Sequence, residues 1–185
     1  PPPRGYTRYD YGSFQLQEKC RQAVLKGSGW GIGTGVKKFS FKRCTMKELR
    51  VLLADDHAIV RQGLRSLIES GGTAKVVGEA DDGREAVLLA EKMAPDVIIM
   101  DIAMPRLNGL EAVRQVKERF PEIKVIILSM YVEDVYVYQA LKAGANGYVL
   151  KSAAFEELKL AFDAIKRGEI YLSATVSQVL VREFL

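Results

Sequence analysis

From Met46 onward the chain alternates short, apolar, β-branched runs with amphipathic stretches of helical period, and this alternation is its most restrictive feature. Such a pattern is typical of an α/β protein whose parallel sheet carries helices on both faces. The strand candidates are residues 49–54, 75–80, 96–100, 124–128 and 147–150. The sequence therefore predicts a five-stranded parallel sheet with a helix after each strand.

Four of the intervening stretches place apolar residues on one helical face and end at glycine or proline. These stripes are Val60, Leu64, Leu67 and Ile68 before Gly71 and Gly72; Ala86, Leu89, Ala90 and Met93 before Pro95; Leu110, Val113 and Val116 before Pro121; and Phe155, Leu158, Phe162 and Ile165 before Gly168. Residues 133–143 are ambiguous, because Tyr136 and Tyr138 also suit a strand. Their length and the ending Ala-Leu-Lys-Ala favour a helix.

The overall composition excludes several classes of protein. Of 185 residues, 48% are apolar and 27% are charged, which is inconsistent with a disordered or fibrous chain. The apolar runs stay far below the roughly 18 residues that cross a bilayer. Two cysteines are too few for a disulfide framework, and no signal segment opens the sequence. We therefore expect a soluble protein of the cytoplasm without a membrane partner.

The excess positive charge lies in residues 1–45, which hold nine Lys or Arg residues against two acidic ones, whereas the remainder holds 18 against 21. The same segment contains Trp30, both cysteines and seven of the sixteen glycines. Its glycine run, residues 29–35, fits neither the dinucleotide-binding spacing nor the P-loop spacing. We interpret 1–45 as a flexible or non-native extension and Met46 as the natural start. An arm for single-stranded nucleic acid is the alternative, because aromatic and basic residues alternate there.

Polar side chains follow four of the predicted strands. Asp55 and Asp56 follow the first, Asp101 the third, Ser129 the fourth and Lys151 the fifth. Because the carboxyl ends of parallel strands meet at one edge of a sheet, we expect these side chains to converge. Three carboxylates repel one another unless a cation lies between them, and all-oxygen ligation suits Mg²⁺. With an amine and a hydroxyl nearby, the cluster predicts a phosphoryl acceptor in which one carboxylate forms an aspartyl phosphate.

These residues, in this order, resemble the receiver domain of two-component response regulators. The segments LLADDHAIVRQGL, ADDGREAV, PRLNGLEAVRQVK and AGANGYVLKSA are most similar to the NarL/FixJ (LuxR-type) subgroup. The resemblance covers about residues 47–167, and we place the receiver domain at 46–167. It implies a flavodoxin-like (CheY-like), doubly wound sheet of strand order 2-1-3-4-5. It also implies a phosphoacceptor switch with at most slow autophosphatase activity rather than an enzyme.

The resemblance assigns a role to each charged residue at this edge of the sheet. Asp101 accepts a phosphoryl group from a partner histidine kinase. Asp56, Asp101 and the main-chain carbonyl of Ala103 bind Mg²⁺ directly, and Asp55 acts largely through water. Lys151 pairs with the phosphoryl group.

A pair of switch residues is implied in the same way. Ser129 turns its hydroxyl towards the phosphoryl group, and Tyr148 then changes rotamer. This remodels the face formed by the fourth helix, the fifth strand and the fifth helix, through which we expect homodimers to form on phosphorylation. From the residues alone, Tyr148 is equally consistent with a half-buried aromatic side chain that never moves. Many receivers carry proline after the lysine, whereas Ser152 stands here.

Each of these residues has a plainer explanation when taken singly. Asp55 suits a turn or a helix N-cap, Ser129 a strand end, and Lys151 the solvent. His57 follows the acidic pair and is a candidate metal ligand, but its position at a helix start favours a structural role. We interpret Asn108-Gly109 as a turn that begins a helix. Only the shared sheet edge argues for a common site.

The end of the chain suggests a connection to a further module. Ser173 precedes the apolar stripe Val176, Val179, Leu180 and Phe184, and the chain stops at Leu185 without a helix stop signal. By the resemblance, 168–185 is a linker helix towards a DNA-binding helix-turn-helix domain absent from this chain, so that any contact with DNA and control of transcription belong to that domain. A stand-alone receiver acting through protein contacts is the alternative. A Mg²⁺-dependent phosphatase of the haloacid-dehalogenase type is disfavoured, because Ala103 stands where such enzymes need a second acid.

Overall fold

A computed structural model of the protein describes residues 48–184, with side chains as far as Arg182. The predicted extension 1–45, its glycine run and Met46 lie outside the described residues. Among residues 48–184, no helix is long and apolar enough to cross a membrane.

The described residues form one parallel sheet of order β2-β1-β3-β4-β5-β6. Its strands are β1 (Leu49–Ala54), β2 (Ala74–Ala80), β3 (Val97–Asp101), β4 (Lys124–Ser129), β5 (Gly147–Leu150) and β6 (Tyr171–Leu172). The predicted strands and their order 2-1-3-4-5 are confirmed. Their bounds differ from the predicted ones by at most one residue at either end, so that Asp101 and Ser129 are the last residues of their strands instead of the first residues after them.

The prediction of five strands is wrong, because part of the segment predicted as a linker joins the sheet. β6 pairs with β5 through main-chain bonds, in which Tyr171 N donates to Asn146 O (3.1 Å) and Ser173 N donates to Tyr148 O (2.9 Å). A strand of two residues is too short to show an alternating pattern. It forms because the outer edge of β5 offers unpaired backbone groups.

Within residues 48–184, six helices cover the sheet: α1 (Ala58–Ser70), α2 (Gly83–Met93), α3 (Gly109–Arg119), α4 (Asp134–Lys142), α5 (Ala154–Lys166) and α6 (Ala174–Phe184). A short 3₁₀ helix, Lys151–Ala153, leads into α5. The ambiguous stretch 133–143 is helical, as predicted. Asn108 caps α3, since its side chain accepts a hydrogen bond from Glu111 N (2.9 Å), which confirms the helix start predicted at Asn108-Gly109.

The core has one layer on each face of the sheet. Buried residues of α2, α3, α4 and α6 pack on one face, and those of α1 and α5 pack on the other. Successive residues of the central strands alternate between the layers, as Val51 and Leu52 do. This is the doubly wound architecture that the sequence predicted. Val176 anchors α6 in the layer that also contains Val137 of α4.

A lysine near the opposite end of the sheet has an unusual environment. Lys117 of α3 donates from Nζ to Ile123 O and to Asn146 Oδ1, both at 2.6 Å. Burial lowers the pKa of Lys117 to about 8 from an ordinary value of 10.5. The unfolded chain therefore holds more protons than the folded chain between these pH values, and the stability that depends on Lys117 rises with pH across that window.

We expect this dependence to disappear in Lys117→Met. Between pH 7.5 and 9.5 the free energy of unfolding of the parent protein should rise relative to that of Lys117→Met, by on the order of 1 kcal/mol after solvent screening. Urea denaturation at the two pH values measures it. Lys166→Met, which replaces an exposed lysine, is the matched control and should follow the parent. A pH dependence shared by all three proteins would contradict the assignment to Lys117.

Candidate functional site

The carboxyl ends of neighbouring strands bring the predicted site residues to one edge of the sheet. β3 lies between β1 and β4, so Asp101, at its end, is flanked by the residues that end those two strands. Lys151 follows β5 and reaches back, with Nζ 2.7 Å from Asp101 Oδ2 and 2.7 Å from Asp55 Oδ2. The predicted convergence of acidic and basic side chains is therefore present.

Main-chain groups orient the two buried carboxylates. Asp101 Oδ1 accepts a hydrogen bond from Ile102 N (2.7 Å), and Asp55 Oδ1 accepts one from His57 N (2.8 Å). The side chain of Asp55 therefore stabilises a turn, which is the structural role expected for this aspartate taken singly. It also contacts Lys151. Each carboxylate keeps its Oδ2 directed at the ammonium group of Lys151.

The charges of the site are coupled. Burial raises the pKa of Asp101, a nearby Asp55 raises it further, and the hydrogen bond and charge of Lys151 only partly oppose this. For Lys151 burial would lower the pKa, but its close contacts with the carboxylates of Asp101 and Asp55 outweigh burial and raise the pKa above its ordinary value. Lys151 therefore remains an ammonium group at neutral pH, with two carboxylates in contact.

The carboxylates of Asp55, Asp56 and Asp101, which we call the acidic edge, suit a hard divalent cation. Oxygen atoms of Asp55, Asp56 and Asp101 and a nitrogen of His57 all lie within 4.8 Å of one another. Asp55 Oδ2 is buried and, among the described residues, receives no aligned hydrogen bond, although Lys151 Nζ is close. Asp55 and Asp101 contact the ammonium group of Lys151, and Asp56 adds a third carboxylate, so the negative charge of the cluster exceeds the positive charge of Lys151. Such a set of oxygen donors fits the coordination of Mg²⁺.

His57 occupies the N-cap position of α1, the helix start at which a structural role was predicted. Its side chain is 66% exposed, and Nδ1 lies 2.7 Å from Asp56 Oδ1. His57 is thus part of the cluster around the acidic pair. Ala103, whose main-chain carbonyl was predicted as a ligand, is an exposed residue of the loop between β3 and α3.

Ser129 and Tyr148 lie together behind the acidic edge. Ser129 is fully buried, and its Oγ accepts a hydrogen bond from Tyr131 N (3.0 Å). Tyr148 is also fully buried, and its hydroxyl donates to Tyr131 O (2.8 Å). Burial raises the pKa of Tyr148, which a hydrogen bond with Ser129 partly opposes. The main chain at Tyr131 therefore links the two predicted switch residues.

The contacts of two arginines near the site were missed in the sequence. Arg61 of α1 donates from Nη1 to the main-chain oxygen of Asp55 (2.5 Å) and from Nε to Glu79 Oε2 (3.2 Å). In the loop after β3, Arg106 has a positive φ of 61°. Its guanidinium group binds Asp82, and Nη2 lies 2.5 Å from Asp81 Oδ1. Both aspartates belong to the motif ADDGREAV, but nothing in that motif indicates that an arginine 25 residues after Asp81 binds them.

Comparison with known proteins agrees with this fold and with the family that the motifs predicted. The family model described as "Response regulator receiver domain" matches residues 51–163. The transcriptional regulatory protein DegU of Brevibacillus brevis is 37% identical over 137 residues, which cover 74% of this chain and 58% of that protein. This chain therefore spans somewhat more than half of the length of that relative.

Solved structures of response regulators resemble this fold. A two-component response regulator of the LuxR family from Aurantimonas sp. SI85-9A1 has a TM-score of 0.71 and 37% identity, covering 74% of this chain and 97% of that one. The isolated REC domain of RcsB from Salmonella enterica serovar Typhimurium, in the presence of phosphomimetic BeF₃⁻, has a TM-score of 0.67 and 30% identity, covering 71% and 98%. The chain belongs to the response regulator receiver family, and the relatives are LuxR-type regulators, as the sequence motifs predicted. Receiver domains of response regulators are signalling switches and not classical enzymes.

Proposed function

We propose that this protein is a phosphorylation-dependent response regulator that accepts a phosphoryl group from a histidine kinase on Asp101. The observation that carries the proposal is the contact of Lys151 Nζ with both Asp101 and Asp55, at 2.7 Å each, within a cluster whose third carboxylate is Asp56. A carboxylate nucleophile, an ammonium group and a cation site are the parts that phosphoryl transfer to an aspartate needs.

In the proposed reaction a carboxylate oxygen of Asp101 attacks the phosphorus of the donor, a new O–P bond forms, and the bond from phosphorus to the leaving group breaks. The ammonium group of Lys151 then pairs with a phosphoryl oxygen instead of with Oδ2 of Asp101. The hydrogen bond from Ile102 N holds the other oxygen, Oδ1. Asp55, Asp56, Asp101 and the Ala103 carbonyl would hold Mg²⁺, whose charge would offset that of the carboxylates and the phosphoryl oxygens.

The switch is proposed to run through Ser129 and Tyr148. A phosphoryl group on Asp101 attracts the hydroxyl of Ser129, whose Oγ otherwise accepts the hydrogen bond from Tyr131 N. Movement of Ser129 disturbs the main chain at Tyr131, and that main chain also holds the hydroxyl of Tyr148. The resulting change reaches α4, because Tyr131 stacks on Tyr136 with ring centroids 4.6 Å apart.

The output is proposed to be control of transcription in the cytoplasm, through a DNA-binding domain beyond the present sequence. Homodimers are proposed to form through the face of α4, β5 and α5. This face carries exposed apolar side chains at Val135, Tyr138 and Leu160. β6 pairs with β5, and α6 packs in the same core layer as α4. A homodimer that forms through this face therefore either includes β6 and α6 in its interface or displaces them. The gene sequence after Leu185 separates a DNA-binding regulator from a stand-alone receiver.

The proposal is tested by phosphorylation with a small donor. Incubation with Mg²⁺ and acetyl phosphate should add one phosphoryl group, detected by intact-mass spectrometry. Excess EDTA should reduce the incorporation at least about 100-fold, because the carboxylate charge then opposes the incoming phosphoryl group. Restoring Mg²⁺ should restore incorporation. Equal incorporation with and without the chelator would contradict the proposed role of the acidic edge.

A further inference from the structure

The first residue after β6, Ser173, is bonded to β5, the strand that ends directly before the site lysine. Ser173 is buried, with 1% of its surface exposed. Its Oγ accepts a hydrogen bond from Leu150 N (3.2 Å), and Leu150 directly precedes Lys151. The main-chain N of Ser173 donates to Tyr148 O (2.9 Å), so this one residue contacts the end of β5 at two points.

A carboxylate of α5 orients the hydroxyl of Ser173. The hydroxyl donates to Glu157 Oε2, which leaves a lone pair of Oγ for the N–H of Leu150. Glu157 also bonds to the hydroxyl of Tyr171, whose pKa is raised by burial and by the charge of Glu157. Ser173, which directly follows β6, therefore contacts both β5 and α5.

This contact lies where the β5–β6 ladder ends. The strand pairing closes at Tyr148 and Leu172, so no strand residue of β6 pairs with Leu150. The 3₁₀ turn that begins at Lys151 has no side-chain cap. The side chain of Ser173 thus replaces the missing ladder bond at the last peptide before Lys151, and it does so in a place with little access to water.

We infer that Ser173 is a positioning residue for phosphoryl transfer, which holds the main chain at Leu150 so that Lys151 Nζ reaches the phosphoryl site. The inference rests on the proposed function of Asp101. It places part of the segment predicted as a linker within the architecture of the phosphorylation site. Ser173 contacts neither Asp101 nor the metal-binding carboxylates, so its effect should fall on Lys151 alone.

Four substitutions in the full chain test this inference. Ser173→Ala removes the acceptor for Leu150 N, and Ser173→Thr retains a hydroxyl. Glu157→Ala leaves Ser173 in place but removes the group that orients it. Ser177→Ala is the matched control, because its hydroxyl makes only a long bond to Leu172 O (3.5 Å) one helical turn further on.

Two quantities are measured: the phosphorylation rate at saturating acetyl phosphate and Mg²⁺, and the affinity for Mg²⁺ by calorimetry. We expect Ser173→Ala to lower the rate about three- to tenfold, the range that one net hydrogen bond corresponds to, with an unchanged Mg²⁺ affinity. Ser173→Thr should recover most of the rate, and Ser177→Ala should match the parent. Glu157→Ala should lower the rate in the same direction and decides the question if Ser173→Ala does not fold.

The outcomes separate this inference from the function on which it rests. If the parent protein gains no phosphoryl group, the proposed function fails. If the parent is phosphorylated and both Ser173→Ala and Glu157→Ala react within twofold of its rate, only the role of Ser173 is overturned. A parallel loss of Mg²⁺ affinity would also overturn it, since that result indicates general damage to the site and not a displaced lysine.

Discussion

Asp101→Asn is expected to abolish phosphoryl incorporation from acetyl phosphate in the presence of Mg²⁺. The amide oxygen is a poor nucleophile, and the amide removes one of the three carboxylates of the acidic edge. The variant should remain folded, because Asn keeps an oxygen that can accept the hydrogen bond from Ile102 N. Intact-mass spectrometry should show at least about a 100-fold loss, comparable to the loss of other nucleophiles.

A matched control for this substitution is Asp81→Asn. Asp81 is an exposed aspartate that contacts Arg106 and stands outside the acidic cluster. We expect Asp81→Asn to incorporate the phosphoryl group at the parental rate. Incorporation in Asp101→Asn at the parental rate would move the acceptor to another carboxylate, of which Asp55 is the next to consider because it also contacts Lys151.

Gly109→Ala is expected to have the largest effect on stability. A Cβ at Gly109, the first residue of α3, would overlap the main-chain oxygen of Asp101. Gly109 N also donates to Ile102 O (2.9 Å), which ties the helix start to the end of β3. We expect a loss of about 3 kcal/mol or more in the free energy of unfolding, because the opposing atoms are backbone and have little room to move.

Gly63→Ala provides the comparison for this effect. Gly63 lies inside α1, and a Cβ there would meet nothing within 4 Å. Alanine favours the helix over glycine, so Gly63→Ala should stabilise the protein by up to about 1 kcal/mol. Urea denaturation of both variants measures the contrast. A Gly109→Ala variant as stable as the parent would show that the helix start does not lie so close to Asp101.

The sequence determined the central architecture and the composition of the site. The five predicted strands are nearly continuous apolar runs, because helices cover both faces of the sheet, and five helices carry a helical periodicity, because each buries one face against the sheet. Asp55, Asp101, Ser129 and Lys151 were recognisable because the carboxyl ends of parallel strands share an edge, a rule that needs only the strand positions. The helical state of 133–143 was also predictable, despite Tyr136 and Tyr138, from its length and its ending.

Only the tertiary structure decided how these residues are held. β6 forms from two residues that pair with an open strand edge, and Arg106 binds Asp82 of another loop. Ser173 meets Leu150 and Glu157, which lie 23 and 16 residues away in the chain. Such contacts join groups distant in sequence through single hydrogen bonds, and therefore leave no local pattern. Periodicity reports which face of an element is buried, whereas the partner of an individual polar group is decided by the packing of whole elements.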